Sequence, residues 1–126
     1  MSNQTAFQHH RWSDIPEEPM KGTITRRMIT GERMMIAQIF LAKADFVPQH
    51  THHNEQLSYV ISGALRFRLG ASGEHEVVVR AGEVLVIPSN LPHSALALED
   101  TLEVDVFCPP REDWLDKTDD YLRRES

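Results

Sequence analysis

Residues 56–70 read QLSYVISGALRFRLG, and this stretch decides the fold class. In its second half, apolar residues alternate with Arg66 and Arg68. A period of two places successive side chains on opposite faces of an extended chain, so this half predicts a strand with one buried face. The first half is a second apolar strand, and the two strands meet at Gly63.

Similar segments continue on both sides of this stretch. They include a long extended run at 33–48 and the shorter segments HEVVVR, EVLVIP, HSALALE and TLEVDVFC. Turn residues separate them, and no intervening segment is long enough for a crossover helix. We therefore predict an all-β sandwich or barrel at 23–110, preceded by an arm at 1–22. Residues 111–126 form a tail that is either a short helix or extended.

Composition limits the function classes. A chain of 126 residues suits one domain, and its net charge of −6 disfavours nucleic acid or an anionic membrane as the partner. The single cysteine, Cys108, excludes an internal disulfide framework. No apolar run approaches the roughly 18 residues that span a bilayer, and the N-terminus has no secretory signal pattern. A cytoplasmic enzyme or binding protein is expected.

Histidine is concentrated just before the opening stretch. HTHHNEQ, residues 50–56, holds three of the chain's seven histidines. His50 and His52 are one residue apart, so their imidazoles point to the same side of an extended chain, whereas His53 is out of phase. The loop alone leaves two interpretations open, a polar turn in solvent and half of a metal site.

A second stretch, GEVLVIPSNLPH at 82–93, bears on that choice. Together the two stretches resemble the paired motifs of the cupin superfamily over roughly residues 35–108. The matching residues are His50, His52, Gln56, Gly63, Gly82, Pro88 and His93. The resemblance implies a jelly-roll barrel in which His50, His52, Gln56 and His93 bind a metal ion. Glu55 stays open as an alternative to Gln56, although strand parity would point it to the opposite face.

Some positions depart from the cupin pattern. Ala44 and Asn90 replace glycines, Gln56 replaces a glutamate, and Ala97 replaces an asparagine. Asn90 should be benign, because asparagine tolerates a left-handed turn better than other non-glycine residues. With Gln56 as a ligand, all four ligands would be neutral. Such a nitrogen-rich site suits divalent nickel, zinc, iron, cobalt, copper or manganese rather than magnesium or calcium.

The stretch TLEVDVFCPPREDWL, residues 101–115, carries further candidates. One face of this strand holds Leu102, Val104 and Val106, and the other holds Asp105 and Phe107 together with polar residues. The second face either meets solvent or lines a pocket. In a pocket, Asp105 could transfer protons, Phe107 could contact a sugar ring, and Arg111 could bind a carboxylate.

These features are similar to the pectin-degradation cupins of the KdgF type, which convert unsaturated uronate monomers into a linear keto sugar acid. That resemblance implies Asp105 as the acid/base with Phe107 beside it, and Arg111 as the candidate for the substrate carboxylate. It also implies a sugar-acid substrate and a homodimer. Two alternatives remain: a cupin dioxygenase, and a cupin that binds metal or sugar without catalysis.

Overall fold

The computed structural model describes residues 6–122 and confirms the all-β prediction. Its strands are β1 (Glu18–Pro19), β2 (Thr25–Thr30), β3 (Met35–Leu41), β4 (Phe46–His50), β5 (Glu55–Ser62), β6 (Ala64–Leu69), β7 (His75–Arg80), β8 (Val84–Ile87), β9 (His93–Ala97) and β10 (Thr101–Cys108). Helical turns occupy Trp12–Asp14 and Asp120–Leu122, and α1 spans Glu112–Leu115. The first five residues of the predicted arm and the last four of the tail lie outside the described residues.

The strands form two antiparallel sheets that face each other. One sheet has the order β1-β2-β3-β10-β5-β8, and the other has the order β4-β9-β6-β7. Leu65 and Phe67 are buried between the sheets, whereas Arg66 and Arg68 point outward, as the alternation predicts. Within residues 6–122, no helix is long and apolar enough to cross a membrane.

The opening stretch changes sheets at Gly63. β5 belongs to the six-stranded sheet and β6 to the four-stranded one. Gly63 has φ +91°, and a Cβ there would lie 2.4 Å from the carbonyl oxygen of Asp100. Glycine is therefore required by both backbone conformation and space.

The prediction of one extended run at 33–48 is wrong, because the chain turns at 42–45. This turn separates β3 and β4, which lie in different sheets. The Asp45 carboxylate accepts a hydrogen bond from the Ala42 backbone N–H at 2.9 Å, and Ala44 adopts φ 78°. Nothing in the apolar periodicity of 33–48 marks this left-handed residue, because alanine rarely adopts it.

The C-terminal tail folds back over the barrel. Its Asp119 accepts a hydrogen bond from Arg26 at 2.7 Å, and both side chains are buried. Trp114 lies under the Arg26 guanidinium at 4.2 Å, and Leu122 is buried in the core. The tail is therefore fastened to β2 by a buried ion pair as well as by apolar contacts.

Replacing Ala44 with glycine should stabilise the protein. An L-residue in the left-handed region carries a strain of about 1–2 kcal/mol, which glycine would remove. Glycine also makes the unfolded chain more flexible, and this offsets part of the gain in stability. We expect Ala44→Gly to raise the free energy of unfolding by about 0.5–1 kcal/mol in urea denaturation. Ala42→Gly, in the same turn, should lower it by a similar amount. An Ala44→Gly protein no more stable than the wild type would contradict this account.

Candidate metal centre

Three histidines meet at one end of the barrel. His50 ends β4 and lies directly opposite His93, which begins β9, while His52 comes from the loop before β5. Their ligand nitrogens all lie within 4.8 Å of one another. The structure thus brings together three of the four predicted ligands, from two strands and a loop.

Backbone carbonyls fix the orientation of each imidazole. The Nδ1 atoms of His50 and His93 lie 2.8 Å from the carbonyl oxygens of Pro48 and Leu91, and His52 Nδ1 lies 3.0 Å from that of Asn54. A carbonyl only accepts, so each Nδ1 carries the proton. Each neutral ring therefore offers its Nε2 lone pair, the form in which histidine binds a metal.

Gln56 is oriented by a similar constraint. Its Nε2 donates to Ser58 Oγ at 2.8 Å and lies 3.4 Å from Asp105 Oδ1. The amide oxygen consequently faces the histidines, 3.1 Å from His52 Nε2. Glu55 and His53, the neighbours that parity assigned to the outside, are both exposed.

The donor set fits a metal ion. His93 Nε2 is buried and has no hydrogen-bond partner among residues 6–122. His52 Nε2 and Gln56 Oε1 are two acceptors 3.1 Å apart, a repulsive contact unless a cation lies beside both. That spacing suits adjacent ligands with metal–ligand bonds of about 2.1 Å.

Burial keeps the imidazoles neutral. It lowers the pKa of His50 to about 3, with further lowering from the neighbouring His93. Burial and then the Arg111 charge lower the pKa of His52 to about 4. The pKa of His93 is also lowered, mainly by burial. Because a ligand histidine must be deprotonated, the site is ready for a metal at neutral pH without displacing protons.

The turn at residues 88–91, in the second motif, forms hydrogen bonds with the histidine loop of the first motif. Asn90 has φ 66°, the left-handed conformation expected for it, and its backbone N–H donates to the His52 carbonyl oxygen at 2.9 Å. Ser89 Oγ donates to the carbonyl oxygen of His53 at 2.6 Å. The histidine loop is therefore positioned by hydrogen bonds to the carbonyl oxygens of two successive residues, His52 and His53.

Two buried carboxyl groups lie behind Gln56. Asp105 is opposite Ser58 in the β5–β10 pair and accepts a hydrogen bond from Ser58 Oγ at 2.8 Å. Burial raises the pKa of Asp105 to about 6. Glu103, two residues earlier on the same face, has its pKa raised well above the usual range by burial and by Asp105. Burial therefore favours the protonated form of Glu103 more strongly than that of Asp105.

Phe107 lies beside the histidines, and its ring is edge-on to that of His52 at 5.8 Å. Arg111 is buried next to it, with its guanidinium 5.1 Å from the Phe107 ring. The Arg111 Nε and Nη2 donate to the two oxygens of Asp113 at 2.9 and 2.7 Å. The bidentate face expected to bind a substrate carboxylate is thus already engaged by a neighbour.

The tail also covers the site. Tyr121 stacks on His50 with ring centroids 4.3 Å apart, and its hydroxyl accepts a hydrogen bond from Arg111 Nη2 at 2.7 Å. The cavity between the sheets measures about 50 Å³. This is room for a few water molecules, well below the roughly 300 Å³ of a usual ligand pocket.

Sequence reasoning missed several residues of the site. Ser58 has the same strand parity as Gln56, so parity would have placed it inside the barrel. Glu103 lies on the same face of its strand as Asp105, but the sequence pattern assigns it no role. Asn54 is buried and donates to the Pro109 carbonyl oxygen at 2.6 Å, which joins the histidine loop to the segment just before the tail. No local pattern signals that long-range bond. Nor does any local pattern signal the contact of Tyr121 with His50.

The neighbouring histidines 52 and 53 provide a matched test of the metal site. His52→Ala should weaken binding of cobalt or zinc by at least about a hundredfold, because a ligand atom is lost. His53→Ala should bind as the wild type does, because His53 is exposed. Isothermal titration of metal-free protein measures both. Equal affinities in the two variants would contradict the assignment of His52.

Comparisons with known proteins agree with this fold. The chain resembles KdgF from Halomonas sp. with a TM-score of 0.79 and 23% identity over 86% of this chain and 99% of that one. An RmlC-like cupin from Shewanella frigidimarina has a TM-score of 0.74 and 24% sequence identity, covering 90% of this chain and 96% of that one. Oxalate decarboxylase from Bacillus subtilis, studied for its Mn(II) centers, has a TM-score of 0.74 and 23% sequence identity. The match covers 89% of this chain and 32% of that one.

Among curated proteins, 3-hydroxyanthranilate 3,4-dioxygenase of Rattus norvegicus is 33% identical over 54 residues. That match covers 42% of this chain and 19% of the dioxygenase. The structural similarities, all below 25% identity, establish the fold. A family model described as a cupin domain matches residues 38–108, more than half of the chain. The chain therefore belongs to the cupin family.

Proposed function

We propose that this cupin binds a divalent transition metal through His50, His52, His93 and Gln56 and converts unsaturated uronate monomers into the linear keto sugar acid. The observation that carries the proposal is the hydrogen-bonded chain from Gln56 through Ser58 to the buried Asp105. It places a proton-transfer group directly behind the ligands. The fold similarity to KdgF and the KdgF-type sequence motifs support the choice of substrate.

The reaction is an isomerisation. A proton leaves the anomeric hydroxyl, the bond between the anomeric carbon and the ring oxygen breaks, and the resulting enol becomes a ketone when C4 gains a proton. No electrons leave the substrate, so the reaction needs no oxidant. A bound divalent ion would supply Lewis-acid stabilisation and a template for the substrate oxygens.

In this proposal Asp105 takes up and returns the proton. Its ionised form is stabilised by hydrogen bonds from Ser58 and, more weakly, from Gln56. Glu103, in its protonated form, would be a third donor to Asp105. A carboxylate held by several donors has a fixed direction, which suits general acid/base catalysis.

Substrate access depends on the tail. A sugar acid is larger than the cavity of about 50 Å³, so Tyr121 would have to move off His50 when substrate binds. The predicted role of Arg111 also requires a rearrangement, because a substrate carboxylate would have to replace Asp113. Phe107 would then contact one face of the sugar ring.

Replacement of Asp105 tests the acid/base assignment. Asp105→Asn should retain the metal but lower turnover by roughly a hundred- to ten-thousandfold, the usual contribution of a general acid/base. The assay follows the loss of enoic absorbance after unsaturated galacturonate is added, alongside metal analysis of the same sample. Asp116→Asn, an exposed aspartate of the tail, is the control and should keep wild-type turnover.

Near-full activity in Asp105→Asn would show that another group transfers the proton. If the metal-loaded wild type leaves the absorbance unchanged, the uronate assignment itself is wrong. The partial identity to a dioxygenase makes oxygen chemistry the second candidate. Oxygen consumption with aromatic substrates in a closed cell would then support it.

A further inference from the structure

Most of the unpaired polar atoms in the protein interior belong to residues around one cavity. Among residues 6–122, four buried side-chain atoms have no hydrogen-bond partner: Arg26 Nη2, Gln38 Oε1, His93 Nε2 and Glu103 Oε2. Arg26, His93 and Glu103 all line the cavity between the sheets. A buried polar atom without a partner costs free energy, so native proteins keep few of them. The candidate metal centre accounts for His93, which leaves Arg26 and Glu103 to be explained.

Glu103 is buried on the inner face of β10, with 5% of its surface exposed. It lies against Asp105 and Ser58. Burial and the neighbouring Asp105 raise the pKa of Glu103 well above the usual range, so the neutral acid is favoured. In that form Glu103 can donate its proton to a hydrogen bond with Asp105, and its Oε2 remains as an acceptor that faces no donor of the described chain.

Arg26 is buried on β2, and three contacts fix its guanidinium. Nε donates to Glu18 at 2.8 Å, and Nη1 donates to Asp119 at 2.7 Å. The flat face of the group lies over the Trp114 ring at 4.2 Å. Because the guanidinium is planar, these contacts also fix the direction of the remaining Nη2. Glu18 and Asp119 already balance the charge of Arg26, so Nη2 suits a neutral oxygen better than a further carboxylate.

Register places the two side chains in one row of the six-stranded sheet. Arg26 is opposite Ile39 in the β2–β3 pair, and Ile39 is opposite Glu103 in the β3–β10 pair. The Cα atoms of Arg26 and Glu103 are thus two strands apart, about 10 Å. All three residues are buried and line the cavity. Side chains as long as arginine and glutamate can both contact one polar group that lies over Ile39.

We propose that Arg26 Nη2 and Glu103 Oε2 form a hydroxyl-binding subsite at the end of the cavity away from the histidines. A hydroxyl group can accept from Arg26 and donate to Glu103 at once, whereas a carboxylate only accepts. Glu103 is the next inward residue after Asp105 on β10, about 7 Å along the strand. A sugar ring held at the metal centre beside Asp105 can therefore present a hydroxyl group to both. The inference rests on the proposed function, because it takes a sugar acid as the ligand of that centre.

The subsite would select a sugar over an aromatic ring. Without a ligand, water can satisfy both atoms, since a cavity of about 50 Å³ has room for a few molecules. A ligand hydroxyl that replaces this water keeps the hydrogen bonds to Arg26 and Glu103. An apolar ring edge at the same place would leave both atoms unpaired, which weakens binding.

Two ligands that share a ring and a carboxylate but differ in hydroxyl groups test the subsite. D-Galacturonate is saturated and so cannot react as proposed, and tetrahydropyran-2-carboxylate lacks the hydroxyl groups. Isothermal titration of the zinc-loaded protein should show at least about tenfold tighter binding of galacturonate. Glu103→Leu should remove most of that preference and leave the binding of tetrahydropyran-2-carboxylate unchanged. Glu103→Gln should retain the preference, because its amide group can donate to Asp105 while its oxygen replaces Oε2.

Arg26→Lys keeps the positive charge but lacks Nη2, so it should lower the preference as Glu103→Leu does. The control is Glu99→Leu, the same substitution at an exposed glutamate, which should keep the full preference. Circular dichroism and zinc content establish that each variant is folded and loaded. Wild-type preference in both Glu103→Leu and Arg26→Lys would mean that the two atoms bind water only, and would overturn the proposal.

The subsite and the proposed reaction fail separately in this experiment. A wild-type protein that binds neither ligand, or binds both equally, would overturn the subsite even if it converts unsaturated galacturonate. A protein that shows the preference dependent on Glu103 but leaves unsaturated galacturonate unchanged would support the subsite and contradict only the reaction.

Discussion

The candidate metal centre depends on three short hydrogen bonds from imidazole Nδ1 atoms to backbone carbonyls. Each joins a histidine to a residue two positions away in its own strand end or loop. These bonds assign the proton to Nδ1 and leave each Nε2 lone pair for a metal ion. Burial then removes the alternative of protonation by lowering the pKa of each ring. The orientation of the donors is thus fixed before any ion binds.

Gln56 stands where the cupin pattern has a glutamate, and this difference changes the charge balance of the site. With Gln56 as the fourth ligand, the proposed set of four neutral ligands would leave the full charge of a divalent ion uncompensated. The Asp105 carboxylate lies on the far side of Gln56 from the histidines and is joined to it by hydrogen bonds through Ser58. In the proposed site, negative charge would therefore remain near the ion, in a group that could still exchange protons. A direct ligand would not have that freedom, because the metal would occupy its lone pairs.

The alternation of residues predicts much of the fold, and motif spacing predicts the meeting of distant histidines. His50 and His93 are far apart in sequence but adjacent across the β4–β9 pair. Alternation shows that β10 has two different faces but does not show which of them points into the barrel. The usual rule would bury Val104 and Val106. The structure instead buries Glu103 and Asp105, because the interior needs polar groups beside the candidate ligands.

Residues whose roles depend on long-range contacts could not be predicted from local sequence patterns. Asn54 and Tyr121 are defined by contacts with segments 55 and 71 residues away, which no local pattern records. Ala44 is a different case, since its left-handed backbone is imposed by the turn and opposes its own preference. Asn90 was predictable because its preference and its backbone agree.

The central claim is that a metal ion is bound by three imidazoles and one amide oxygen. X-ray absorption spectroscopy of the cobalt-loaded protein measures this ligand set directly, and Gln56→Glu provides the comparison. The account predicts three imidazole nitrogens with additional oxygen ligands in the wild type. It also predicts an edge shift in the variant, because a carboxylate then replaces the amide. A spectrum with fewer than three imidazoles, or one unchanged by Gln56→Glu, would contradict the account.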